Sequence, residues 1–175
     1  MMDLPKRKHP RLKNYDYGSS GYYYVTINTQ DNLPVLSRVG RGLAPAETKI
    51  HLLPIGEVAK EQLFELEKRY PFVRIDKYVI MPTHIHAIIV LFEDASSDEN
   101  KAAGASPRPT LTDIICAFKS LTTRIANKND GVQGRKIFQA SFYEKVLRNE
   151  ESYLEAWQYI DENPLKYTLK KTNSL

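Results

Sequence analysis

Residues 72–92 read FVRIDKYVIMPTHIHAIIVLF. Phe72–Met81 and His84–Phe92 are rich in β-branched and aromatic residues, and the intervening Pro82-Thr83 sets a hairpin spacing, so two antiparallel strands are expected. Side chains alternate along a strand, which puts His84 and His86 on one face while Ile85 points into the opposite layer. Upstream, Tyr22–Thr29 (YYYVTINT) follows the turn cluster Gly18-Ser19-Ser20-Gly21 and reads as a first strand. Between them, Asp31–Pro54 carries scattered Pro and Gly and reads as a loop or ragged hairpin with room for short strands. Gly56–Arg69 places Val58, Ala59, Leu63 and Leu66 at helical spacing and ends before Pro71, which predicts a helix.

Downstream of the hairpin, 93–109 (EDASSDENKAAGASPRP) is polar and small, and is expected to be a mobile surface excursion. Thr110 or Thr112 can cap a helix through Asn127 with Ile114, Ile115, Phe118, Leu121 and Ile125 as its apolar stripe, and Asn129-Asp130-Gly131 closes it. Ile137–Leu147 (IFQASFYEKVL) predicts a fourth strand or extended segment. Asn149 or Ser152 opens a last helix, expected to stop near Asn163 because Pro164 disfavours helical dihedrals in the residue before it. The succession β-α-β-β-α-β is the signature of an α+β, ferredoxin-like split βαβ sheet. Helices would then cover one face and leave the other free for a ligand, with the C-terminal helix as an addition. The expected organisation is a basic arm at 1–20, a domain at 21–167 and a basic tail at 168–175.

A chain of 175 residues fits one domain with tails, and 42% hydrophobic with 26% charged residues marks a globular protein. No apolar run approaches the ~20 residues of a membrane span. The start, MMDLPKRKHPRLK, has no apolar stretch behind its charges, so no secretory signal is read and the cytoplasm is the default compartment. Cys116 is the single cysteine, which excludes an intrachain disulfide and a cysteine zinc cage. The net charge is +4, and Lys6, Arg7, Lys8, Arg11 and Lys13 stand against Asp3 alone. That arm suits contact with phosphates, though a solvated tail has the same composition.

Two constellations carry chemistry. Imidazoles at His84 and His86, about 7 Å apart along one strand face, can share a metal ion if a third ligand comes from elsewhere. The spacing alone is equally that of two histidines on a half-buried strand. However, only four histidines exist, and two of them open an apolar strand, a costly place for imidazoles. In the last helix, Tyr159 and Asn163 stand one turn apart on one face. An amide oxygen is a hard ligand suited to magnesium or manganese, and a phenol beside it can act as a nucleophile toward phosphate. Taken alone, the pair equally reads as a core tyrosine and a helix-end asparagine.

The stretch Tyr78–Val90 (YVIMPTHIHAIIV) closely resembles the His-hydrophobic-His strand of single-tyrosine HUH transposases, particularly the REP-associated tyrosine transposases. Ser141–Glu151 (SFYEKVLRNEE) followed by Trp157–Lys166 (WQYIDENPLK) resembles the second signature of that branch. Arg11-Leu12-Lys13 with Tyr15-Asp16-Tyr17, the Gly21–Thr29 strand and Ala117–Thr123 (AFKSLTT) fit its other segments, so the resemblance spans roughly 9–167. The chain departs at Thr83, often Asn in that branch, and at Phe138, often Trp; Thr83 bears on which bond fixes an imidazole tautomer.

The resemblance implies that His84 and His86 ligate a divalent ion, Mg²⁺ or Mn²⁺, with Asn163 in the third place, and that Tyr159 is the nucleophile. It implies attack on single-stranded or hairpin DNA, a 5′-phosphotyrosine intermediate and strand transfer. Tyr143, Tyr153 and Tyr167 compete for the nucleophile's role on composition, and Tyr22, Tyr23 and Tyr24 could offer a stacking surface for bases. Besides the arm, Lys119, Arg124, Arg135 and Lys136 are candidate phosphate contacts, as are Lys166, Lys170 and Lys171 in the tail. A homodimer, with the tyrosine helix serving its own or its neighbour's site, is compatible with the sequence. The rival readings are a non-catalytic ferredoxin-like nucleic-acid-binding protein and a hydrolase with zinc on His84 and His86.

Overall fold

The computed structural model describes residues 19–41, 48–93 and 108–172. The basic arm cations at 6–13 and almost all of the 93–109 excursion lie outside them. The elements are β1 (Gly21–Asn28), β2 (Ser37–Arg41), β3 (Thr48–Leu52), α1 (Pro54–Arg69), β4 (Val73–Ile80), β5 (His84–Leu91), α2 (Leu111–Asn129), β6 (Tyr143–Leu147) and α3 (Glu150–Thr172). Four strands form an antiparallel sheet in the order β4-β5-β1-β6. This is the split βαβ arrangement, with β5 inserted between β1 and β4. No described helix is long and apolar enough to cross a membrane.

Strand alternation sorts the side chains into two layers. Tyr23, Val25 and Ile27 of β1 and Ile85, Ala87, Ile89 and Leu91 of β5 face α1 and α2, where Ala59, Leu63, Leu66, Ile114 and Phe118 complete the main core. Thr110 starts α2 with a capping box, its hydroxyl accepting from the Asp113 amide. On β4 the register shifts between Ile75 and Lys77, and the Glu67 carboxylate accepts the Ile75 N–H at 2.7 Å. At the start of α1, Gly56 sits so close to Leu36 that a Cβ there would lie 1.9 Å from the Leu36 carbonyl oxygen.

The opposite face is not left open, contrary to the expectation. Ala156 and Ile160 of α3 pack on Val79, Met81, Ile88 and Leu147, with Val39 and Ile50 of the β2–β3 hairpin beside them. That hairpin is a separate two-stranded sheet inside the segment read as a loop or ragged hairpin, and it realises the second of those alternatives. Ile137–Leu147 is also shorter as a strand than expected. Only Tyr143–Leu147 pairs with β1, while Phe138 makes a single bridge to Thr29.

The main correction concerns α3, which does not stop near Asn163 but runs through Pro164 to Thr172. An internal proline costs about 3 kcal/mol. The stripe Tyr153, Ala156, Ile160, Asn163, Tyr167 continues across it with its apolar members packed on the sheet, and burying a side chain such as Ile160 is worth about 1.5–3 kcal/mol. Packing along both halves therefore outweighs the local penalty.

Candidate active site

The turn before His84 is fixed by backbone and hydroxyl groups. Thr83 C=O accepts from both the N–H and the hydroxyl of Thr29, each at 2.9 Å. Pro82 C=O accepts from Leu36 N–H at 3.1 Å, and Met81 N–H donates to His84 C=O at 2.8 Å. Ser37 hydroxyl donates to Ile80 C=O at 2.9 Å. Such bonds leave the first histidine little backbone freedom.

His84 and His86 project on the α3 side with ring centroids 4.5 Å apart. His86 Nδ1 lies 2.7 Å from the Tyr24 phenol and 2.9 Å from the Thr26 hydroxyl, and His84 Nδ1 lies 3.0 Å from the Thr83 hydroxyl. Burial pushes His86 down to about 3, with the neighbouring His84 adding to the shift. Burial also lowers His84, partly offset by its hydrogen bond with Asn163. Both rings are therefore neutral at neutral pH. Burial pushes the Tyr24 phenol up to about 12, so it keeps its proton.

Helix α3 lays its stripe across this face. Tyr159 stands edge-on to His86 with centroids 5.3 Å apart and edge-on to Tyr24 at 6.3 Å. It is 43% exposed while Asn163 is 8% exposed, so the phenol borders solvent and the amide points inward to the histidines. Lys166 Nζ lies 5.5 Å from the Tyr159 ring centroid and pairs with Glu162 at 2.8 Å. The competing tyrosines are placed differently. Tyr153 donates its phenol to Asp76 at 2.7 Å, and that bond pushes it up to about 12. Tyr167 packs beside Met81 and Ile160. Tyr143 is exposed on edge strand β6.

Two neutral imidazoles and an amide oxygen are a donor set that a divalent cation can use. In the tautomer with hydrogen on Nδ1, the His84 and His86 N–H groups donate to the surrounding hydroxyl oxygens and each Nε2 keeps a lone pair, the usual orienting arrangement of metal-binding histidines. The residues present thus fit the group. Among the described residues no three His, Cys, Asp or Glu side chains come together, so the donor set of a zinc hydrolase is not found there.

Of the predicted phosphate contacts among the described residues, Lys166 stands beside Tyr159, whereas those on α2 and at 135–136 lie apart from the site. Lys119, Arg124 and Lys136 line a shallow groove of about 320 Å³ on α2 and the 136–140 segment, with no acidic side chain in its lining. Lys119 donates to Ala140 C=O at 2.7 Å, and burial lowers its pKa. Arg135 is held away by Asp130 at 2.6 Å and by Asn127. Sequence reasoning missed Tyr24 and Thr26 as partners of His86. The signal was the strand face they share with it, which becomes visible only once the register pairs Thr26 with His86. Tyr23, offered with Tyr22 and Tyr24 as a stacking surface, is fully buried.

No family model matches the chain. An uncharacterized protein of Haemophilus influenzae is 29% identical over 167 residues, spanning 91% of this chain and 88% of its own length. Among solved structures, a REP-associated tyrosine transposase bound to a REP hairpin matches with a TM-score of 0.52 at 18% identity, over 90% of this chain and 73% of that one. A putative transposase from Deinococcus radiodurans matches with a TM-score of 0.47 at 14% identity, over 87% of this chain and 95% of that one. The fold is that of the REP-associated tyrosine transposase.

Proposed function

We propose that this chain is a single-tyrosine transposase of the REP-associated kind, a DNA endonuclease and strand transferase acting on single-stranded or hairpin DNA. The observation that carries the reading is the docking of the Tyr159 helix on the His84–His86 face, with the Tyr159 and His86 rings 5.3 Å apart. The matching transposase is bound to a hairpin, which supports the choice of substrate. His84, His86 and Asn163 would hold Mg²⁺ or Mn²⁺, which when bound polarises a phosphate and neutralises charge on its oxygens.

The chain's own groups supply the rest. Tyr159 Oη forms a bond to the scissile phosphorus as the bond to the 3′ oxygen breaks, and the phenol's proton leaves to that oxygen or to solvent. The products are a 5′-phosphotyrosine and a 3′-hydroxyl. The phosphodiester's energy is kept in the tyrosyl ester, so another 3′-hydroxyl can reverse the step and join strands without a nucleotide cofactor. Tyr24 and Thr26 hold the His86 ring, and the Thr83 hydroxyl holds His84. The cations of the Lys119–Arg124–Lys136 groove and of the arm, Lys6, Arg7, Lys8, Arg11 and Lys13, would neutralise flanking phosphates.

Incubating the protein with labelled hairpin oligonucleotides and Mn²⁺, then running denaturing gels, tests the reading. A covalent adduct is expected, absent in Tyr159→Phe and after EDTA, with oligonucleotide binding by the variant retained. An adduct that survives Tyr159→Phe moves the nucleophile to another tyrosine. Binding by wild-type protein without any adduct returns the chain to the non-catalytic binding proteins.

A further inference from the structure

Beyond the histidine pair, the same face of the sheet carries a second set of groups. The register places Tyr143 beside Thr26, Lys145 beside Tyr24 and Leu147 beside Tyr22. A row therefore runs outward from the site along β6, the edge strand. It ends, about 13 Å along the strand by the usual rise, at a cavity of about 410 Å³ lined by Tyr22, Leu147, Arg148, Asn149, Glu150 and Tyr153. Tyr22 and Tyr143 are each 44% exposed. Tyr22 is held edge-on by Tyr153, with centroids 5.5 Å apart at 78°, and Tyr153 is itself fixed by Asp76. Lys145 makes only a 3.9 Å contact with Glu155, and Arg148 is exposed with no ion pair among the described residues.

Aromatic faces alternating with cations along an open edge are what an unpaired strand uses, because bases stack while cations follow the phosphates. A base held in a duplex cannot enter such a cavity. We infer that the Tyr22 cavity takes one unpaired base of the strand whose phosphate reaches Tyr159, stacked on the Tyr22 ring, with Tyr143 and Lys145 carrying the nucleotides between. This inference rests on the function proposed above and adds the path of the strand. Arg148 and Glu150 both line the cavity, so a donor and an acceptor stand beside the Tyr22 ring for the polar edge of a base.

Abasic scanning of the oligonucleotide that forms the adduct, read by fluorescence anisotropy, tests it. In wild-type protein one abasic position should lower affinity roughly 5- to 150-fold, the worth of one stacked base. Tyr22→Ala should lower the affinity of the intact oligonucleotide by the same factor and add nothing at that abasic position, while Tyr22→Phe keeps the wild-type pattern. The inference is overturned if the losses multiply at every position, or if no single position stands out. An adduct formed alongside those results leaves the proposed function standing; failure of wild-type protein to bind any oligonucleotide removes both.

Discussion

The β4–β5 hairpin and helix α3 bring the two halves of the site together by different means. The hairpin is held by backbone ladders on both sides of β5, and its turn is tied to Thr29, Leu36 and Ser37 by hydrogen bonds of 2.9–3.1 Å. Helix α3 has no such ladder. It rests on the sheet through a stripe of side chains, and Tyr159 on its flank is 43% exposed against 5% for His86. The histidines are thus preorganised and stiff, whereas the phenol rides on an element held by side-chain contacts, among them the Tyr153–Asp76 and Lys77–Asp161 bonds of 2.7 and 2.8 Å. That division would suit the strand transfer proposed above, in which the groups proposed to hold the cation stay put while a covalently attached strand is handed from one 3′ oxygen to another.

The strongest way to break the comparison is on the hairpin side. Gly56→Ala would push a methyl carbon to within 1.9 Å of the Leu36 carbonyl oxygen, a backbone atom that also anchors Leu53 N–H at 2.9 Å. We expect a loss of about 3 kcal/mol, seen as a fall in Tm of roughly 6–12 °C, because the clash displaces the segment that pins Pro82. A Tm within about 2 °C of wild type would mean that α1 shifts freely and that Leu36 is not a fixed anchor.

Ile160→Ala strikes the other side. Ile160 is 1% exposed at the centre of the α3 stripe, and truncating it should cost about 2 kcal/mol, the low end for a buried isoleucine because the helix lies on the protein's outside. The distinguishing readout is where the loss appears. Hydrogen exchange should speed up across 150–172 while β1 and β5 keep their protection, and adduct formation should fall more than oligonucleotide binding. Uniform loss of protection in sheet and helix would show that the two are one cooperative unit.

The same contrast explains what could be read from sequence. The histidine strand was legible because its signal is local: alternation alone puts His84 and His86 on one face, and Pro82-Thr83 marks the turn. Tyr159 and Asn163 were likewise paired by helical spacing. Legibility failed where a distant partner decides. Tyr24 and Thr26 join the site through the β1–β5 register, which no property of YYYVTINT specifies. The β2–β3 hairpin is only partly buried along its strands, so its alternation is faint. Phe138 and Tyr143 belong to one apolar run, but only the latter's segment reaches β1 as a ladder.

Pro164 is where local rule and tertiary packing meet most directly, and it gives the smallest expected effect. Pro164 removes the N–H that would bond the Ile160 carbonyl, and its ring crowds the same turn, yet the helix continues to Thr172. Pro164→Ala should restore that bond. The gain is less than the ~3 kcal/mol seen in an isolated helix, because proline also restrains the unfolded chain by up to about 1 kcal/mol and the docked stripe has already accommodated the ring. A stabilisation of about 1 kcal/mol, or roughly 2–4 °C in Tm, is expected. Exchange should slow in 160–168, one turn either side of the substitution, and not in the hairpin. A fall in Tm would instead make the proline ring itself a packing element beside Asn163, and the helix would then owe its passage through residue 164 to that contact rather than to the stripe.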